Sequence, residues 1–472
     1  MKHLLFIFLF FAYLSAFGQQ PVVFTHVTVI DVKTGKLSKN MTVIITGNRI
    51  TSVSKTSKRT IPKNAQLIDA RGKYMIPGLW DMHVHALNKP RFETFLPLFV
   101  ANGITGIRDM ATHTPLQEVS QWKNEIASGS RIGPRIIAAG LILDGPKPIF
   151  PTMSIAIKDE TEGRTAVRGL KEQGADFIKV YSSLPRNVFY AIVDEAKKQG
   201  LSFAGHLPTS ITACEASEAG QRSIEHMLGW FESCSIKAER IEQREKSSEK
   251  ALAPTGPVQA FLKQIQDVES FDVKTANELA TLFLKNDTWL TPTISAREAA
   301  TYFDERISAN DARFQYISPG MIENWQGDNI FSKATAEQLV KLKSGFSTKL
   351  KAINMVKEAG GKFLAGTDTG VPLIFPGFSL HDELKLFVRA GLTPLQALQT
   401  ATINPAKFLG REKELGTIEK GKLADIVLLD ANPLEDINNS QKIFAVVANG
   451  KYFNKAALNK VLADVEVLAS KQ

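Results

Sequence analysis

The chain has 472 residues, 44% of them hydrophobic and 22% charged, which excludes a disordered chain and a polytopic membrane protein and suits one α/β barrel of about 250 residues with a smaller companion domain. The net charge of +9 comes with acid and base interleaved, as at 237–250, and without a basic block carrying aromatics; a small-molecule substrate is expected and nucleic acid is not. Two cysteines, Cys214 and Cys234, are too few for a cysteine-built zinc module.

Residues 1–18 predict a cleavable secretory signal peptide. Lys2 and His3 precede an apolar run from Leu4, and the small residues Ala16 and Gly18 stand before a cut at Gln19. The run is too short for a stable span, and no cysteine lies at the cut. The mature product is therefore expected to be periplasmic or secreted, neither lipid-anchored nor inserted in a membrane. Export places Cys214 and Cys234 in an oxidising space, where a bridge and two buried thiols are both open.

Residues 19–74 read as short strands with turns, as in VVFTHVTVIDV and MTVIITGNRITSVS, and ADIVLLD and IFAVVANGKYF near the other end share that texture. The two ends, 19–74 and 411–472, are expected to build one small composite β-sandwich domain. Between them, 75–410 alternates strand and helix signals, the pattern of a (β/α)8 TIM-like barrel. Eight candidate strands follow in order at 79–85, 104–110, 135–140, 176–182, 201–206, 221–226, 288–293 and 362–368. The connections 227–287 and 294–361 are longer than one crossover helix needs, and both follow strands. They are expected to emerge on the C-terminal face as partial lids.

Chemistry gathers at the strand ends. His83 and His85 form HVH, and residues two apart on a strand point the same way. His206 ends the fifth candidate strand, His226 the sixth and Asp368 the eighth. Four imidazoles and a carboxylate at one end of a barrel suit Zn²⁺ and related divalent ions. Lys179 lies in ADFIKVY, where Phe177, Lys179 and Tyr181 face inward. An inward lysine is costly as a cation, so its pKa falls and its amine stays nucleophilic. Such an amine can capture CO₂ as a carbamate whose oxygens bridge two cations.

These motifs resemble the amidohydrolase superfamily, in its imidazolonepropionase-like and Xaa-Pro-dipeptidase-like branch of the binuclear, carboxylated-lysine type. The likeness is carried by MIPGLWDMHVH (75–85), NGITGIRDM (102–110), GADFIKVYSS (174–183), AGHLP (204–208), SIEHM (223–227), LAGTDTG (364–370), GLTPLQALQTATINPAKFLG (391–410) and LGTIEKGKLADIVLLDANP (415–433). The resemblance implies two divalent metal ions, Zn²⁺ by expectation. His83, His85 and Asp368 would hold the first, and His206 and His226 the second. Carboxylated Lys179 and a hydroxide would bridge them, with Asp368 as general base and then acid. It further implies an enzyme that cleaves an amide C–N bond, of a dipeptide or an N-acyl amino acid. One departure bears on substrate. Many such peptidases carry a Gly-Gly-His-Gly loop after the third strand, where this chain reads AAGLILDGPKPIFP (138–151). A cyclic amide, a lactone or another ester therefore stays open.

Among the remaining residues, Tyr181 is a candidate substrate contact two positions beyond Lys179. Arg297 could pair a substrate carboxylate. His113 reads as a loop residue, His381 as structural near a helix start, and His26 as part of the β domain. The β domain is the candidate surface for a homo-oligomer contact.

Overall fold

The computed structural model describes residues 20–58, 60–233, 273–327 and 335–472. The expected leader, Cys234 and the charged run 237–250 lie outside the described residues.

Strands from both ends of the chain share one sheet. Tyr74–Pro77 pairs in parallel with Val22–Ile30 on one side and antiparallel with Ile426–Leu429 on the other. Leu37–Thr46 and Arg49–Lys55 extend the sheet beyond Val22–Ile30, and Ile443–Ala448 and Lys451–Phe453 extend it beyond Ile426–Leu429. The alternation read from the sequence packs Phe24, Val43, Ile45, Met75, Ile426 and Leu428 into one apolar cluster. The C-terminal part is not wholly β. Lys455–Ala469 is a helix, capped by the Asn454 side chain and packed against the helix Phe92–Ala101.

The middle of the chain is α/β with parallel strands. One sheet holds Leu79–Val84, Ile104–Asp109 and Arg135–Ala138. A second holds Ser154–Ala156, Ile142–Asp144, Ile178–Val180, Phe203–Gly205, Ser223–Glu225 and Trp289–Thr291. Leu79–Val84 and Ile104–Asp109 are buried along their whole length, as parallel strands covered on both faces are. Connecting helices carry the expected punctuation. Asp159 caps Glu160–Gln173, which ends at left-handed Gly174, and Thr212 and Glu215 form a capping box on Ala213–Ala219. The helix Arg186–Lys198 turns Val188, Phe189, Ile192 and Val193 inward. No described helix is long and apolar enough to cross a membrane.

Two features depart from the sequence reading. The eighth candidate strand, 362–368, forms no ladder; Phe363 makes an isolated bridge to Leu290, and Thr369, just beyond it, makes isolated bridges to Val84 and Val371. Its backbone is still held on both sides. Leu364 N donates to Leu290 O at 2.9 Å, and Asp368 N donates to His83 O at 2.7 Å. Regular pairing stops because Asp368 is left-handed (φ 63°), and because Gly366 lies so close to His83 and Thr291 that a Cβ would overlap both. Conversely, 138–156 contains two short strands, Ile142–Asp144 and Ser154–Ala156, that pair in parallel with each other.

Candidate active site

Strand ends bring the singled-out residues together. His83 leaves the end of Leu79–Val84 fully buried, with His85 two residues on. Nε2 of His83 lies 3.3 Å, and Nε2 of His85 3.2 Å, from the same Asp368 oxygen. Ligand atoms of these three residues lie within 4.8 Å of one another, the one such metal-competent group among the described residues. His226 faces His83 and His206 faces His226, each pair with ring centroids 4.8 Å apart. Tyr181 stacks on His206 at 3.9 Å. Lys179 Nζ lies 5.7 Å from the Tyr181 ring, 1% exposed as a residue and without a hydrogen-bond partner. The alternation around Lys179 holds. Ile178 and Val180 join the core that includes the helices, while Phe177 packs with Met110 and Ala204.

Each imidazole is oriented through its other nitrogen. Nδ1 of His83 meets Glu225 Oε2 at 2.7 Å, His206 meets Ser182 Oγ at 3.0 Å, and His226 meets Thr293 Oγ1 at 2.7 Å. Nδ1 of His85 lies 3.4 Å from the Ala111 carbonyl oxygen. Partners of this kind set which nitrogen keeps a free lone pair. Burial, then the Lys179 charge, holds His206 well below the ordinary histidine range, and burial does the same to His226. Both rings are therefore neutral donors. Burial brings Lys179 down to about 8, against the pull of Glu225 and Asp368. Burial opposes ionisation of Asp368, yet His83 and His85 more than offset it and hold the carboxyl well below its usual range.

Several residues around the site were not singled out from the sequence. Glu225, wholly buried, accepts from Arg108 Nη2 at 3.0 Å and from Ser223, besides holding His83. Arg108 and His83 keep it ionised against the burial that opposes charge. Arg108 also donates to the Met82 carbonyl at 2.6 Å. Asp81 accepts from Thr367 Oγ1 at 2.6 Å and from Thr367 N at 3.0 Å, tying the first strand to the segment carrying Asp368. Lys349, from the helix Ala336–Glu358, donates to the Pro292 carbonyl at 2.7 Å and the His226 carbonyl at 3.3 Å. Period-two alternation was the available signal for Glu225, since Ser223 and Glu225 share a face. Nothing local pointed to Lys349.

The secondary candidates divide. Tyr181 belongs to the site. Arg297 is buried on the helix Ile294–Thr301, close enough to Lys349 for their charges to oppose each other. His113 is exposed, and its backbone N donates to Asn88 Oδ1 at 3.0 Å. His381 bonds Ser440 Oγ and the Asn102 carbonyl, a structural role. His26, in the strand Val22–Ile30, lies 3.4 Å from Asp69.

The model of the amidohydrolase family matches residues 74–452, most of the chain and every residue of this cluster. The chain belongs to the amidohydrolase family. This amidohydrolase is a hydrolase acting on carbon–nitrogen bonds. It is 24% identical to a dihydroorotase of Pelotomaculum thermopropionicum over 431 residues, 87% of this chain and 89% of the relative. It is 29% identical to an imidazolonepropionase of Sphingopyxis alaskensis over 133 residues, 26% of this chain and 32% of that protein. Its fold is similar to that of a Xaa-Pro dipeptidase solved with methionine in the active site, with a TM-score of 0.67 and 24% identity, covering 92% of this chain and all (100%) of that one.

Proposed function

We propose that this amidohydrolase cleaves the amide bond of a dipeptide or N-acyl amino acid at a pair of divalent cations, Zn²⁺ by expectation. The observation that carries the reading is one cluster: His83, His85 and Asp368 converge, with Lys179 buried beside them and unpartnered. The residues fit such cations. Nε2 of His83 is buried without a hydrogen-bond partner, His206 and His226 are held neutral, and Asp368 is held ionised. His83, His85 and Asp368 would hold one cation, His206 and His226 the other, with Lys179 between them as its CO₂ adduct.

Bound cations would supply acidified water and a polarised carbonyl; the remaining work falls to the chain. Asp368 accepts the proton of the attacking water and delivers it to the leaving nitrogen. Glu225 and Arg108 hold His83, Thr293 holds His226, and Ser182 holds His206. Tyr181, over His206, contacts the substrate. A second reading, a cyclic amide, a lactone or another ester, is favoured by one observation: 138–151 has no histidine loop.

In the same reading, 75–410 is one (β/α)8 barrel completed by 362–368, and 19–74 with 411–472 form a composite β-sandwich domain beneath it. Residues 1–18 are removed on export to the periplasm or beyond. N-terminal sequencing of the exported chain should begin at Gln19.

Elemental analysis with a substrate panel tests the chemistry. About two divalent metals per chain are expected, falling in Lys179→Ala together with cleavage of Xaa-Pro and N-acyl amino acid substrates in bicarbonate. Metal content near one per chain, unmoved by that substitution, would remove Lys179 from the centre. Asp368→Asn should abolish turnover while leaving the circular dichroism spectrum unchanged; wild-type rates would take Asp368 out of the proton path.

A further inference from the structure

Segment 145–151 reads GPKPIFP. Its three prolines, Pro146, Pro148 and Pro151, fix their own φ and bias the preceding residues to extended backbone. Asp144, fully buried, ties the segment down. Its Oδ1 accepts from Gly145 N at 2.9 Å and Ser183 N at 2.8 Å, and its Oδ2 accepts from Ile149 N at 3.2 Å. Gly145 is required here, because a Cβ would overlap the Ser183 carbonyl oxygen. Ser183 is two residues past Tyr181, so these bonds lock the segment to the strand end that carries Lys179 and Tyr181.

On this stiff frame Ile149 and Phe150 are 37% and 43% exposed. Phe150 sets its ring edge-on to Tyr181, centroids 6.1 Å apart and planes at 72°. Tyr181 in turn stacks on His206 and packs with Ala111 and Ile142. A file of rings therefore runs from the centre of the site to solvent. A lone exposed hydrophobic side chain needs no explanation. Two adjacent ones, held in place and continuous with the aromatic wall of the site, form a preorganised apolar surface of the kind that binds ligands.

We propose that Ile149, Phe150 and Tyr181 form an apolar subsite for a large aliphatic or aromatic group carried by the substrate on one side of the scissile bond. This rests on the amide-hydrolase reading for the bond that is cut, and on the ring geometry alone for the group that is bound.

The test uses the metal-loaded enzyme with N-acetyl amino acids and dipeptides bearing Phe, Leu, Ala or Asp, and with matched esters. Wild type should favour Phe over Ala by at least about tenfold in kcat/KM, expressed in KM. Phe150→Ala should lower that ratio about tenfold, and Phe150→Trp should keep it. Binding of N-acetylphenylalanine and N-acetylaspartate, followed by calorimetry on wild type and both variants, reads the subsite without turnover. Cleavage of amides with no preference for Phe, or a preference that survives Phe150→Ala in a folded protein, would overturn the subsite and leave the amide reading intact. Aromatic-selective cleavage of esters but not amides, or aromatic-selective binding lost in Phe150→Ala without any amide turnover, would retain the subsite and remove the amide reading.

Discussion

Glu225 adjoins His226 in sequence yet acts on His83, a residue on another strand. Its carboxylate accepts a hydrogen bond from Nδ1–H of His83, which turns Nε2 toward Asp368. Its second oxygen is held by Arg108 and Ser223. The whole arrangement is buried, so no water replaces a lost partner. Glu225→Gln removes the charge that Arg108 and His83 both face, at a cost of about 3 kcal/mol in stability. On the proposed reading it should also weaken metal binding about 10–100-fold. Urea unfolding and competition with a chelator check these two effects separately. Unchanged metal affinity would reduce Glu225 to a structural ion-pair partner. The HxH pair, His206, His226 and Asp368 were legible because each ends a strand-like run. The partner of His83 was not, because 142 positions separate the two residues and only pairing of strands brings them together.

The long connection 294–361 supports the backbone around the site. Its helix Ala336–Glu358 sends Lys349 in to the carbonyls of Pro292 and His226. Glu383, from the helix Phe378–Arg389, accepts from the first two amides of Ile294–Thr301, 2.9 Å from Ile294 N and 2.6 Å from Ser295 N. Between these anchors, His226, Met227 and Thr293 adopt positive φ of 62°, 57° and 45°, conformations that non-glycine residues hold only when their surroundings impose them. Burial pushes Lys349 down to about 7 and Glu383 up to about 7, so the support is made of hydrogen bonds more than of full charges. Lys349→Met keeps the length of the side chain and leaves two carbonyls without their donor. The expected loss is about 1–3 kcal/mol, and, on the proposed two-cation reading, lower metal content. Thermal unfolding with and without added Zn²⁺ measures both. A variant matching wild type in both would show the carbonyls to be satisfied without Lys349. Helical periodicity does not say which single lysine turns inward.

His381 connects distant parts of the molecule. It lies on the helix Phe378–Arg389, accepts from Ser440 Oγ at 2.9 Å and donates to the Asn102 carbonyl at 3.0 Å. Burial lowers its pKa, and outweighs the bond to the Asn102 carbonyl, which favours the protonated ring. The unfolded chain therefore binds a proton more readily than the folded one. The contribution of His381 to stability is complete above the unfolded histidine value of about 6.5 and is lost progressively as pH falls below it. Melting curves at pH 7 and pH 5 should show a smaller drop in Tm for His381→Asn than for wild type. Equal drops would mean that this ring stays neutral in both states or charged in both. A second junction joins the two sheet systems. Asp425, immediately before Ile426–Leu429, accepts from Arg135 Nε at 2.6 Å, and Asn449 binds the same arginine at 2.8 Å. The parallel strands and the shared β sheet are thus keyed to one another.

The sequence by itself determined most of the elements and the candidates for the reactive groups. Alternation of apolar residues specified the strands, caps and glycines bounded the helices, and HVH, IKVY, AGHLP, SIEHM and AGTDTG carry the six residues proposed as the centre. These signals are local, carried by a few adjacent side chains. Tertiary structure alone decided the rest. The 362–368 segment became a wedge held by isolated bridges because Asp368 takes a left-handed backbone and Gly366 presses on His83. Glu225, Arg108 and Lys349 became supports of the centre because burial denies water to groups that only long-range packing brings into contact. Residues 145–151 read as a plain loop until Asp144 and Ser183 fixed where its apolar side chains stand.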